Sequence, residues 1–85
     1  MGQLPVAKPV KLVVLMAFDR GENGELRPAF EAREMPSEQR AIRTAKDIAP
    51  QHAGVIAWVR DADLALGDYG QSEVLYRSGD IPDLD

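Results

Sequence analysis

The 85 residues contain no cysteine. That absence excludes a disulfide scaffold, thiolate metal ligands and thiol catalysis together, and it agrees with the cytoplasmic location we expect. No apolar run approaches the ~20 residues that a membrane-spanning helix needs. The nearest candidate, residues 10–18, has no small-residue cleavage site after it and only Lys8 beside Pro5 and Pro9 before it, so it reads as a strand. A net positive charge is also lacking, since the sum is −4. Counterion release on nucleic acid needs clustered cations, so neither direct nucleic-acid binding nor a membrane partner is expected. Histidine occurs once, at His52, and none of the seven glycines sits in a phosphate-cradling motif between a strand and a helix. We find no internal repeat and no low-complexity segment.

What is present is ordinary for one small domain: 45% apolar and 28% charged residues. A chain of this length buries about 60–65% of its unfolded surface, enough to fold alone with little to spare. The charge is unevenly placed. Residues 1–60 carry nine Lys and Arg against seven Asp and Glu, a net +2; residues 61–85 carry one against seven, a net −6.

The chain is organised around residues 36–58. Ser37 is a good N-cap, Glu38 suits the first turn, and Ala41, Ile42, Ala45, Ile48 and Ala49 recur at helical spacing. Pro50 cannot continue the helix, and Gly54 suits a left-handed exit into a strand at 55–60. Before this unit, residues 1–9 read as a loose arm. The even positions Val10, Leu12, Val14, Met16 and Phe18 form one complete apolar strand face, while the odd positions are apolar only in the middle. Between residues 19 and 25 a three-residue loop, Glu22-Asn23-Gly24 with Gly24 left-handed, pairs Phe18 with Pro28, Met16 with Phe30 and Val14 with Ala32. The alternative two-residue turn mixes polar with apolar residues on one face. The second strand then spans 26–34, and Pro28 makes it an edge. Residues 61–71 read as a loop with one helical turn at 62–66, in which Leu64, Leu66 and Tyr69 cover a core edge. The last strand is 73–77, and 80–85 is an acidic tail.

The expected fold is therefore α+β, ββαββ: a four-stranded antiparallel sheet of order 2-1-3-4 with one helix on one face. The body is residues 10–79.

A single helix covers a single face. If the even positions of the first strand meet it, Val13, Leu15 and Ala17 face away, together with either Ile56 and Trp58 or Val55, Ala57 and Val59 of the third strand. The patch is drawn as Val13, Leu15, Ala17 and Trp58. These four residues are the expected interface, because an exposed apolar patch with an aromatic anchor marks an interaction site. The blander reading folds Leu4 and Val6, or the 64–69 loop, over that patch.

The other candidates are weaker. Arg33, Arg40, Arg43 and Lys46 suggest a basic stripe along the helix. It is a solvated face by default and a rim for an acidic partner otherwise. Asp61, Asp63, Asp68, Glu73, Asp80, Asp83 and Asp85 form an acidic set. The order Asp61-Ala62-Asp63-Leu64-Ala65 breaks the calcium-loop pattern at its third ligand, so no metal and no cofactor is expected. His52 lies just past a helix end without an adjacent nucleophile, so no catalytic residue is assigned.

The strings LMAFDRGENGELRPAFEAREMPSEQRAIRTAKDIA, HAGVIAW and LGDYG resemble a group of small uncharacterised proteobacterial proteins over most of residues 12–81. The resemblance implies a bacterial origin and brings no activity, cofactor or site with it.

Three functions compete. The first is a non-enzymatic interaction module that binds a protein partner, or itself, through the helix-free sheet face. The second is an acidic inhibitor of a nucleic-acid-binding complex, of the anti-CRISPR kind, whose carboxylates imitate phosphates. The third is a small ligand-binding domain or enzyme using His52.

Overall fold

The computed structural model describes residues 10–63 and 68–82. It is an α+β fold with one α-helix, α1 (Glu38–Ile48), on one antiparallel sheet. The strands are β1 (Val10–Arg20), β2 (Leu26–Pro28), β3 (Arg33–Glu34), β4 (Gly54–Asp63), β5 (Asp68–Tyr69) and β6 (Glu73–Gly79). Among the described residues no helix is long and apolar enough to cross a membrane.

β1 and β4 form the centre, in antiparallel register from Val10 opposite Ala62 to Phe18 opposite Gly54. Their apolar middles explain the position: a strand apolar on both faces fits the middle of a sheet, with a neighbouring strand on each edge. β2 and β3 both pair with the outer edge of β1, and β5 and β6 both pair with the outer edge of β4. The expected set of four continuous strands is therefore replaced by six, because each outer edge is built from two short pieces.

The hairpin explains the break on one side. Gly24 is left-handed (φ 81°), and the Gly21 N–H donates to the Glu25 carbonyl at 2.8 Å, closing the three-residue loop. Phe18 pairs with Pro28 in the register that this loop dictates. That register does not persist. Val14 lies opposite Glu34 and Leu15 opposite Arg33, two residues later than continuation would place them, so Met16 does not meet Phe30 and Val14 does not meet Ala32. Phe30 leaves the ladder to pack on the buried cluster beneath α1, which is worth more to a large ring than a place on an edge.

α1 begins where its cap predicts, with the Ser37 hydroxyl oxygen accepting the Arg40 N–H at 3.1 Å. It ends at Ile48, and the chain continues through a 3-10 turn, Ala49–Gln51, around Pro50. Gly54 is not left-handed; among the described residues only Gly24 and Gly79 have positive φ. Its lack of a side chain serves a close approach instead, since a Cβ there would run into the Asp80 carbonyl. The Asp80 N–H donates to the Ala53 carbonyl at 2.9 Å, which ties residues 80–82 to the start of β4.

The core runs between α1 and the odd positions of the central strands. Ala41 and Ala45 are fully buried against Val13, Leu15 and Ala17 of β1 and Val55, Ala57 and Val59 of β4. This reverses the face assigned from sequence. Alanines let the helix axis sit close to the sheet, and the Val and Ala side chains around Leu15 fit beneath it with less bulk than the rings of Phe18 and Trp58 on the other face. Val13, Leu15 and Ala17 are thus core residues and not an interface.

β4 extends through Asp63, so no helical turn begins at Ala62. The arm at 1–9 and the covering roles of Leu64 and Leu66 and of the Tyr69 side chain lie outside the described residues.

Candidate docking face

Opposite the helix, the even positions of β1 and β4 make a second apolar layer. Val14 lies opposite Trp58, which lies opposite Val74; in the next row Met16 lies opposite Ile56, which lies opposite Arg77. Directly opposed residues share a sheet face, so these side chains stand side by side. Leu12, Val14, Met16 and Trp58 are partly exposed, and Val74 is 53% exposed. Phe18 and Ile56 are buried. Part of that burial has a visible source: Ile81 passes over Gly54, with its Cδ1 3.0 Å from where a Cβ would stand, and Gly54 is the cross-strand neighbour of Phe18. The face is closed at that end and more open toward Leu12 and Trp58.

Charged residues frame it. The Arg60 guanidinium stacks on Trp58, 5.0 Å from the ring centroid. Glu34, opposite Val14 on β3, and Arg77, opposite Ile56 on β6, are exposed at the two edges, and neither forms an ion pair with a described residue.

The basic set divides. Arg40, Arg43 and Lys46 are exposed on the outer side of α1, bordering an open hollow of about 560 Å³. A convex helix surface is a poor wall for a ligand cleft, so this is a solvated face. Arg33 is on β3 rather than on the helix, with its guanidinium 4.8 Å from the Phe30 ring centroid.

The acidic set divides as well. Asp61 and Glu73 are exposed near one end of β4, where the β4–β5 register also sets Asp63 opposite Asp68. Asp80 is at the other end, its Oδ2 2.6 Å from Arg20 Nη2. Glu73 lies opposite Val59 while Asp80 is bonded to Ala53, six positions or roughly 20 Å along the strand, so the two groups do not form one phosphate-like surface. Asp83 and Asp85 lie outside the described residues. Among the described residues no group of three His, Asp or Glu side chains is placed to hold a metal ion.

Family models, curated proteins and solved structures gave no match to this chain.

His52 has a partner that sequence reasoning missed. Its Nδ1 is 3.0 Å from Asp19 Oδ1, and the Phe30 ring meets it edge-on with centroids 6.1 Å apart. The pair joins residues 33 positions apart, so no local spacing reveals it. A carboxylate that orients an imidazole is half of a catalytic constellation; the missing half is a nucleophile. Among the described residues no hydroxyl hydrogen-bonds His52. The pair fastens the end of β1 to the chain leaving α1.

Proposed function

We propose that this protein is a non-enzymatic protein–protein interaction module that docks through its helix-free sheet face. The observation that carries the reading is the layer of Leu12, Val14, Met16 and Trp58, partly open to solvent on the side of the sheet away from α1. Side chains of this size on the outer face of a central strand pair are placed to pack on another surface. Trp58 is suited to be an anchor, because an indole framed by a guanidinium buries a large area at little conformational cost. The pairing of His52 with Asp19 alone gives no comparable support to an enzyme.

The reading is tested by the tolerance of the face to charge. Met16→Glu is expected to leave the circular dichroism spectrum intact and to change the urea unfolding free energy by no more than about 1 kcal/mol. Leu15→Glu, one residue away and under α1, is expected to unfold the protein. A Met16→Glu variant that also unfolds would mean that the chain already covers this face, and the docking reading would be lost.

A further inference from the structure

The helix-free face is complementary to itself. Resting on the docking reading above, we propose that its occupant is the same face of a second copy of this chain. The two copies are related by a two-fold axis that runs along the strands, midway between β1 and β4. Such an axis lays β1 of each copy over β4 of the other and exchanges the outer edges, so β3 of one copy lies over β6 of its neighbour.

Two independent features fit this arrangement. The first is shape. Val14 and Trp58 occupy one row of the register and Met16 and Ile56 the next, so the axis sets the indole of each copy on Val14 of the other. A large side chain then falls on a small one twice, which is what close packing of two sheets requires.

The second feature is charge. Glu34 and Arg77 stand at opposite edges of the face in adjacent rows, both exposed and neither paired with a described residue. Exchange of the edges brings Glu34 of one copy toward Arg77 of the other, twice per dimer. Packed sheets lie roughly 10 Å apart, a gap that a glutamate and an arginine reaching from both sides can span.

The size of the face sets the strength. Four strands across and the part of the β1–β4 ladder left open beyond Ile81 make a surface roughly 19 Å by 20 Å, in the range of weak, transient interfaces. Association in the micromolar range is expected.

Sedimentation velocity from about 5 to 500 µM tests the proposal, and the mass should rise from one copy to two across that range. Met16→Glu should hold it at one copy. Glu34→Arg and Arg77→Glu should each weaken association by about 2- to 30-fold, from two rim contacts of modest worth, and the doubly reversed protein should recover wild-type affinity. Weakening by both single reversals together with recovery in the double is the signature of this axis. Net charge, −4 in the wild type, falls in magnitude in Glu34→Arg and would by itself strengthen association there. A single-copy mass at every concentration overturns the proposal, as does a double variant no better than the single ones. If Met16→Glu is folded in that case, the face remains available to a different protein and only this inference falls; if it is unfolded, the docking reading falls as well.

Discussion

Leu15 and Met16 are neighbours on β1 and meet opposite surroundings, since Leu15 is 1% exposed beneath α1 and Met16 is partly exposed on the far face. Truncation separates them. Leu15→Ala should cost about 2–5 kcal/mol in urea denaturation, and Met16→Ala no more than about 1 kcal/mol. Equal losses would show that both faces are equally buried. At the corner of the sheet, His52 holds Asp19 and leans on Phe30, with its side chain 17% exposed. His52→Ala should cost about 1–2 kcal/mol, and a double-mutant cycle with Phe30→Ala should return a coupling of about 0.5–1.5 kcal/mol. Additive losses would remove the ring contact from the account of this corner. Strand periodicity foretold which residues of β1 alternate, but not which alternate set the helix would choose, because Val13, Leu15 and Ala17 are as apolar as Val14 and Met16.

At the scale of elements, α1 was the most predictable part, because its signals are local. Ser37 caps it and Pro50 follows its last turn, so both ends are set within a few residues. Ser37→Ala should lower stability by about 1 kcal/mol through the loss of one N-terminal hydrogen bond. Gly54 needs its missing side chain for a non-local reason, the crossing of the Asp80 carbonyl. Gly54→Ala should cost about 1–3 kcal/mol and loosen residues 80–82, seen as faster amide exchange at Asp80, whose N–H is held by Ala53. Slow exchange at Asp80 in the variant would show that the crossing tolerates a Cβ. The second strand was foreseen as a continuous edge and is two fragments, because nothing local announces that Phe30 finds a better place under the helix than in the ladder.

At the scale of the whole molecule, the charge polarity of the chain does not become a single acidic or basic surface among the described residues. Arg20 neutralises Asp80 at one end of β4, while Asp61 and Glu73 remain exposed at the other. Stability is concentrated in the β1–β4 pair, which is hydrogen-bonded along its length and packed under α1. Native-state hydrogen exchange should therefore find its slowest amides in residues 12–18 and 55–59 and much faster ones in 30–32, where the outer edge is broken beyond the Ala29 N–H bonded to Ala17. The reverse order would place the core elsewhere.

The sequence by itself determined the fold class, the extent and cap of the helix, the left-handed Gly24 and the loop that starts the hairpin. Each rests on composition, on periodicity or on contacts a few residues apart. Only the tertiary structure decided which face of β1 lies under α1, where the second strand breaks, and that Asp19 meets His52. Those outcomes depend on the volume beneath a helix of alanines and on the packing of residues far apart in the chain. A strand that is apolar on both faces carries no local mark of either.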